Sequence, residues 1–349
     1  MSQHKSDNPG NSTMKTMIRI FLSMLMFAAA GCGGAGKAVK KVRVGVSLPT
    51  QREERWVRDG DQLKSDAQAN NLDLRLQISD NDAARQVSQC ENLIAQGIDV
   101  LILAPHDATS AGVIVEKAHR SGIKVISYDR LVLDADVDLY VSFDNVKVGE
   151  LQGQYLTGLV PKGNYVVLGG APTDNNAKLF KGGAMKIIQP FVDKGDIKIV
   201  MDQWVKDWQP AEAMKLMENA LTANRNNIQG VLAPNDGTAS GVIQALAAQS
   251  LEGKVPVTGQ DAELSAAQRI VQGKQTMTIF KDTRALATTA VQAAMKMVKG
   301  ENPGANSRVN NGKIDVPSIL LTPIAVDAKN LDKVLVDSGY LKHEDVYKK

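Results

Sequence analysis

The chain has 349 residues, of which 43% are hydrophobic and 23% are charged, a composition typical of a globular protein that is long enough for two domains. The formal net charge is +3, and it falls to +1 without residues 1–31, which contain three basic residues and one acidic residue. So small a net charge argues against a nucleic-acid partner.

Residues 1–31 have the features of a secretory signal peptide. Lys15 and Arg19 precede a mainly apolar run at 20–30, which ends in small residues. The run is shorter than the roughly 20 residues that a membrane-spanning helix needs. The pattern therefore predicts an exported protein whose translation starts at Met1 or at Met14.

Residues 29–32, Ala-Ala-Gly-Cys, resemble the lipobox of bacterial lipoproteins. This resemblance implies that Cys32 receives a lipid and becomes the mature N-terminus, with residues 32–40 as a tether rich in Gly, Ala and Lys. The protein would then lie in the periplasm or on the outer face of the cytoplasmic membrane, anchored through Cys32. Plain signal cleavage, with Cys32 unmodified, is the alternative.

From Val42 onward, predicted strands and helices alternate. The strands are predicted, in chain order, at 42–48, 72–79, 100–104, 124–128, 165–170, 197–205, 230–236, 255–261 and 276–282. This alternation predicts parallel sheets with helices on both faces, and its two consecutive blocks predict two similar lobes. A single eight-stranded barrel is the alternative on strand count alone.

Two predicted helices carry a local signal. Around Cys90, apolar residues recur on one helical face, which predicts that Cys90 is a buried core thiol. No internal disulfide is expected in the mature chain, because Cys32 is the other cysteine. After the first strand, Thr50 and Glu53 have the spacing of a capping box, which predicts that a helix begins there.

Charged and planar polar side chains follow seven of the predicted strands. In open parallel sheets, ligands bind beyond the carboxyl ends of the strands. An Asp or Asn at such a position is usually a cap or a turn, but turns do not explain Trp56, Trp208, Arg130 or Lys281. The residues at the strand exits are Arg55, Trp56, Asp129, Arg130, Asp174, Asn175, Asn176, Asp207, Trp208, Asn235, Asp236, Asp261 and Lys281.

This mixture of side chains suits a neutral sugar. Each sugar hydroxyl both donates and accepts, carboxylates accept, Arg and Lys donate, and Asn does both. Charge-assisted hydrogen bonds to a neutral ligand are strong without requiring an ionic substrate. A pyranose ring also has apolar C–H faces on which Trp can stack.

Motifs for other chemistries are missing from the sequence. There is no P-loop, and no strand is followed by G-x-G-x-x-G, so nucleotide binding has no support. His106 follows a strand but has no motif that supplies a partner nucleophile. Residues 134–138 have the spacing of an EF-hand loop, but Leu139 and Asn145 stand where Gly and Glu are required. No catalytic residue, metal or cofactor is therefore expected.

Eight motifs occur in order between residues 54 and 281. They are ERW at 54–56, SYDR at 127–130, SFDNVKVGELQ at 142–152, DNNAKLF at 174–180, DQWVKDW at 202–208, ENALTAN at 218–224, GQDAEL at 259–264 and QTMTIFK at 275–281. With them, nearly all of the chain from Val42 resembles the D-xylose-binding proteins of bacterial ABC importers, in the ribose-binding-like class. One departure is at Pro49 and Thr50, where comparable members carry acidic residues, and the implied contacts begin at Arg55.

The resemblance implies a type I periplasmic binding protein fold: two similar α/β lobes, each a doubly wound parallel sheet, joined by a three-segment hinge and closing on a sugar. The N-terminal lobe would comprise 41–146 and 283–315, and the C-terminal lobe 147–282 and 316–349. Among neighbouring residues it favours Asn176 over Asn175 and Asn235 over Asp236. Carried over by position, the sugar contacts are Arg55, Trp56, Asp129, Arg130, Asp174, Asn176, Trp208, Asn235, Asp261 and Lys281.

The implied function is extracytoplasmic binding of a monosaccharide, D-xylose or a related pentose or hexose. A monomer would deliver the sugar to an ABC permease and its ATPase. Presentation of the sugar to a sensor kinase or chemoreceptor is an alternative, and an enzyme acting on sugars is a further one. A sugar-responsive repressor would need a helix-turn-helix where residues 1–40 carry the signal.

Overall fold

The computed structural model describes Met1–His4 and residues 41–348. Cys32, the predicted tether and residues 5–31 of the predicted signal peptide lie outside the described residues. In the described part of the chain, no helix is both long enough and apolar enough to cross a membrane. The chain from Lys41 onward forms a unit of its own.

The first lobe contains a seven-stranded sheet in the order β10-β11-β5-β4-β3-β1-β2. Its strands are parallel except for β10, an edge strand that runs antiparallel to β11. They are β1 (Arg43–Leu48), β2 (Asp73–Ile78), β3 (Val100–Leu103), β4 (Lys124–Tyr128), β5 (Leu139–Phe143), β10 (Ser307–Asn310) and β11 (Asp315–Leu321).

Both faces of this sheet are apolar. Successive side chains of a strand point to opposite faces, and a strand that is apolar throughout therefore supplies both. Val100 and Ile102 of β3 join one core cluster, and Leu101 and Leu103 join the other. Helices cover the two faces: α1 (Glu54–Ala69), α2 (Ala83–Ala95), α3 (Gly112–Arg120) and, returning late in the chain, α9 (Thr283–Val298).

The second lobe has a parallel sheet in the order β7-β6-β8 and an antiparallel pair, β9 with β12. The strands are β6 (Gly163–Gly169), β7 (Ile197–Trp204), β8 (Gly230–Leu232), β9 (Thr278–Phe280) and β12 (Ile324–Val326). The helices are α4 (Asn145–Leu159), α5 (Asn175–Asp193), α6 (Pro210–Ala223), α7 (Asp236–Ala248), α8 (Leu264–Val271) and the short α10 (His343–Val346). The predicted strand at 255–261 is reduced to a single parallel bridge, Val231 to Val257.

The chain passes between the lobes three times. The crossings lie at Asp144, between β5 and α4, at 281–282, between β9 and α9, and at 322–323, between β11 and β12. The backbone N–H of Asp144 donates to the carbonyl of Leu321 at 3.0 Å, which ties two crossings together. The prediction of two parallel α/β lobes is confirmed, and the strands lie in separate sheets rather than in one closed barrel.

Two sequence predictions need correction. The C-terminal lobe was predicted to include 316–321, but β11 pairs with β5 of the first sheet, with Ser318 opposite Tyr140. The prediction of a capping box is also wrong. Glu53 is the N-cap of α1, but its side chain makes no capping hydrogen bond. Thr50 Oγ1 instead accepts from the N–H of Arg52 at 3.1 Å.

Cys90 lies on the buried face of α2 with 1% of its surface exposed. Burial raises the pKa of its thiol to about 11, because the thiolate is disfavoured away from water. The prediction of a core thiol is confirmed.

Candidate functional site

A small cavity lies between the two lobes. All ten residues predicted to contact a ligand lie on its wall: Arg55, Trp56, Asp129, Arg130, Asp174, Asn176, Trp208, Asn235, Asp261 and Lys281. Glu53, Phe180 and Gln260 complete the lining.

Arg55 and Lys281 are two cationic groups within a buried network of carboxylates. Arg55 Nη1 lies 2.7 Å from Asp129 Oδ2, and its Nη2 lies 2.9 Å from Asp59 Oδ2 one helical turn away. Lys281 Nζ lies 3.4 Å from Asp261 Oδ1 and 3.7 Å from Asp129 Oδ2. Each charge thus has an opposite partner, as buried charges require.

The pKa values of these carboxyl groups follow from the balance between burial and cations. Burial would raise the pKa of Asp129, but Arg55 and Lys281 outweigh it and lower that pKa below its usual value. Burial raises the pKa of Asp59 to about 6, although Arg55 opposes the shift. Burial likewise raises the pKa of Asp174, against the attraction of Arg130. Asp129 therefore remains a charged hydrogen-bond acceptor at neutral pH.

Two indoles form aromatic walls of the cavity. Trp56 is 2% exposed, and the guanidinium carbons of Arg55 and Arg130 lie 4.4 and 5.2 Å from the centre of its ring. Trp208 is 7% exposed and packs edge-to-face against Phe180, with ring centroids 6.4 Å apart. These walls offer apolar surface beside the charged groups.

Gly170 makes room for the indole of Trp208. A Cβ atom on Gly170 would lie 2.0 Å from Cη2 of that indole, which is an impossible approach. Gly170, which directly follows β6, therefore allows Trp208 to lie where it does.

Several strand exits that carry site residues have unusual backbone conformations. The φ angles of Asp129, Trp208 and Asp261 are +57°, +57° and +96°, in a region that non-glycine residues seldom adopt. The carbonyl of Asp129 accepts from Tyr140 Oη at 2.8 Å and from Ser142 Oγ at 2.7 Å, which holds its turn in place. Such strain persists where the surrounding structure determines it, often at functional sites.

The two lobes are in direct contact around the cavity. Arg130 Nε lies 2.8 Å from Asp174 Oδ2, and Asn176 Nδ2 donates to the carbonyl of Asp129 at 2.9 Å. Farther along, the N–H of Leu264 donates to Glu54 Oε2 at 3.0 Å. The structure is therefore a closed arrangement in which residues of both lobes enclose the cavity.

Four buried polar atoms of lining residues have no hydrogen-bond partner within 1–4 and 41–348. They are Glu53 Oε2, Trp208 Nε1, Gln260 Oε1 and Asp261 Oδ1, the last of which lies beside Lys281 without forming a hydrogen bond. Leaving such a group unpaired costs about 1–3 kcal/mol. The residues of the cavity wall thus retain three acceptors and one donor whose hydrogen bonding is incomplete.

Sequence reasoning missed three lining residues, each adjacent to a signal that was used. Phe180 lies one helical turn after Asn176 on α5 and so shares its face. Gln260 directly precedes Asp261, and Glu53 directly precedes the first turn of α1. Among residues of the strand-exit survey, Asp236 lies off the cavity, and its carboxylate accepts from Gln275 and Thr278 at 2.7 and 2.9 Å.

Other candidate chemistries have no geometry to support them. His106 does not line the cavity, and burial lowers the pKa of its imidazole. Over the described residues, no group of three or more His, Cys, Asp and Glu side chains is placed to hold a metal ion.

Residues 44–302 match the family model of the periplasmic binding protein domain. The chain is 47% identical over 307 residues to the D-xylose-binding periplasmic protein of Escherichia coli K12. The match covers 88% of this chain and 93% of that relative. The protein of the same name from Haemophilus influenzae is 46% identical over 308 residues, with the same two shares.

Among solved structures, a carbohydrate transporter solute-binding protein from Chloroflexus aurantiacus in complex with D-glucose superimposes with a TM-score of 0.82. It is 37% identical, and the match covers 88% of this chain and 98% of that one. These relatives are binding proteins of sugar transport rather than enzymes.

Proposed function

The chain belongs to the periplasmic binding protein family, and from that premise we propose that it binds one molecule of D-xylose in the cavity between its lobes and delivers it to the permease of an ABC transporter. The name of the two relatives at 46–47% identity supports xylose as the sugar. The observation that carries the proposal is the cavity itself, whose wall combines thirteen polar or aromatic side chains from both lobes and a crossing segment.

The electrostatics of the wall favour a neutral ligand. Three basic residues, Arg55, Arg130 and Lys281, face four acidic ones, Glu53, Asp129, Asp174 and Asp261. Because the charges nearly balance, an anionic or cationic ligand would gain no net attraction, whereas a hydroxyl can bond to either kind of group. The walls of Trp56 and Trp208 supply surfaces for the C–H faces of a sugar ring.

The relatives support a pentose over a hexose, because two of them are named for D-xylose. D-Glucose is the second candidate, because the structural neighbour from Chloroflexus aurantiacus holds that sugar.

Binding and closure are coupled in this proposal. Sugar would favour the closed arrangement, because only there do the groups of both lobes reach the same molecule. The closed surface is what a permease, and through it the ATPase, would recognise. A sensor kinase or chemoreceptor could read the same surface, and transport assays in cells with and without a permease would separate these roles.

The location of the protein is part of the proposal. The relatives are named periplasmic, which supports export, and we propose attachment to the membrane through a lipid on Cys32 and action as a monomer. Mass spectrometry of the membrane fraction would detect the lipid on Cys32, and a Cys32→Ala chain should then appear in the soluble fraction. A chain found soluble with unmodified Cys32 would contradict the anchor alone.

Isothermal titration calorimetry with a panel of pentoses and hexoses tests the ligand. We expect one D-xylose per chain, bound more tightly than D-glucose. A micromolar Kd corresponds to about −8 kcal/mol, or roughly −0.8 kcal/mol for each of the ten or so heavy atoms of a pentose, within the known limit for small ligands. Absence of heat with every sugar would contradict the proposal. Asp129→Asn, in the cavity, should weaken binding of D-xylose. Asp61→Asn, at an exposed position on α1, is the matched control and should leave binding unchanged.

A further inference from the structure

Glu53 is a buried carboxylate on the cavity wall that is only half satisfied. Its residue is 7% exposed, and its Oε1 accepts from Arg52 Nε at 3.1 Å and from Arg52 Nη2 at 2.6 Å. Its Oε2 is buried and has no partner among the described residues. A carboxylate normally accepts at both oxygens, so one acceptor remains for a molecule in the cavity.

The carboxylate is not needed to start the helix that follows it. Glu53 is the N-cap of α1, yet its side chain makes no capping hydrogen bond. The first turn is closed instead by its backbone, whose carbonyl accepts from the N–H of Trp56 at 3.1 Å. Helix capping therefore gives no reason for a buried acid here.

Arg52 links this carboxylate to the opposite lobe. Its Nη2, which donates to Glu53, also donates to the carbonyl of Asp207 in the second lobe. Asp207 has a φ of +49° and directly precedes Trp208. A single guanidinium thus connects Glu53 to the segment that carries the aromatic wall.

We propose that Glu53 is a sugar-binding residue, whose Oε2 accepts a hydrogen bond from a ligand hydroxyl, and that Arg52 is a positioning residue that couples this contact to lobe closure. The inference rests on the proposed function, because it names a further group that binds the same ligand. The hydroxyl completes the hydrogen bonding of the carboxylate, and the completed carboxylate holds Arg52 against the carbonyl of Asp207. Ligand binding at Glu53 therefore stabilises a contact between the lobes.

The first test compares the chain with Glu53→Gln, which keeps the shape of the side chain and removes its charge. We expect calorimetry to show affinity for D-xylose reduced about tenfold or more, as for loss of a hydrogen bond to a charged group. Titration with the monodeoxy forms of xylose adds a double-mutant cycle. One of these sugars should bind the two proteins about equally, because its missing hydroxyl is the partner of Glu53.

Arg52→Leu tests the coupling. We expect faster dissociation of D-xylose in stopped-flow fluorescence, since the contact is lost between the lobes rather than with the sugar. Arg85→Leu is the matched control, because Arg85 forms an exposed ion pair with Asp80 on the same lobe. Unfolding temperatures without sugar should match wild type for all three variants, which separates a binding role from a role in folding.

The outcomes distinguish this inference from the proposed function. If the wild-type chain binds no sugar, the proposed function fails. If wild type binds xylose and Glu53→Gln binds it within about twofold, the inference about Glu53 is wrong while the proposed function stands. A dissociation rate unchanged by Arg52→Leu would overturn the coupling.

Discussion

Arg130 of the first lobe and Asp174 of the second form an ion pair across the cleft, with Nε and Oδ2 2.8 Å apart and both side chains at least nine-tenths buried. The pair joins two residues of the cavity wall, so side chains that line the cavity also connect the lobes. When the lobes separate, each charge returns to water, so removal of one partner should affect closure rather than the stability of either lobe alone.

Asp174→Asn should weaken sugar binding strongly. Removing one partner of a buried pair leaves the other charge uncompensated and costs about 3 kcal/mol or more, which corresponds to roughly a hundredfold in Kd. Calorimetry with D-xylose measures this loss. The control is Asp202→Asn, because Asp202 is half exposed and pairs with Lys181 outside the cavity. Equal affinities of the two variants would show that the pair does not control closure.

Trp208→Ala should reduce affinity for D-xylose by stacking energy of about 1 kcal/mol or more. The fluorescence of the same indole should change on binding, because a bound sugar would alter the environment of this nearly buried ring. Trp204 is 38% exposed and lies off the cavity, so Trp204→Phe is the control that should retain both affinity and the fluorescence change. Unchanged affinity in Trp208→Ala would remove this residue from the site.

The strand exits were predictable because their chemistry depends on one geometric rule. Parallel strands end at the same edge of a sheet, so polar residues after separate strands meet there whatever lies between them. Contact between the lobes then brings their edges together, so that Asp129 of the first lobe and Asp261 of the second both lie within 4 Å of Lys281 Nζ. Whether each lining residue contacts sugar stays a prediction.

One strand that was not predicted, β11, has a local sequence that argues against a strand. β11 contains Pro317, which cannot donate to a neighbour and is usually excluded from interior strands. It is accommodated because Pro317 pairs with Arg308 of the short edge strand β10. Conversely, 255–261 is apolar enough for a strand, but within it only Val257 bridges to β8, and the segment ends at Asp261, whose φ is +96°.

Glu53 was not predicted as a lining residue for a different reason. The capping-box pattern offered a structural role for its carboxylate, and only the three-dimensional structure shows that this role is not used. Local patterns of this kind describe what a residue can do, whereas tertiary contacts determine what it does.

Gly170→Ala should disturb the site without unfolding the protein. The new methyl group would collide with the indole of Trp208, so that ring must move from the cavity wall. We expect weaker binding of D-xylose and an altered Trp fluorescence spectrum in the absence of sugar. Gly182→Ala is the control, since a Cβ at that position meets no atom within 4 Å. A Gly170→Ala chain with the spectrum and affinity of wild type would contradict the proposed packing.

Stability should depend on pH through an acidic pair near the cleft. Burial raises the pKa of Asp236 to about 7, and burial together with repulsion from Asp236 raises the pKa of Glu263 to about 8. The backbone N–H of Glu263 donates to Asp236 Oδ2 at 3.1 Å, so the two groups are neighbours. Asp261 and Glu54 oppose ionisation of this pair, whereas Arg269 and the hydrogen bonds from Gln275 and Thr278 to Asp236 favour it.

The sign of the effect follows from proton binding. Between the ordinary carboxyl pKa near 4 and the raised values of about 7 and 8, the folded state holds protons that the unfolded state has released. The free energy of unfolding should therefore decrease as pH rises from about 5 to about 8, from the contribution of this pair. Thermal unfolding at a series of pH values should show a higher midpoint at the acidic end of this window. Glu263→Gln, which mimics the protonated acid, should flatten the dependence, and Glu252→Gln at a more exposed position should leave it unchanged. A Glu263→Gln chain with the full wild-type slope would show that Glu263 does not titrate in this range.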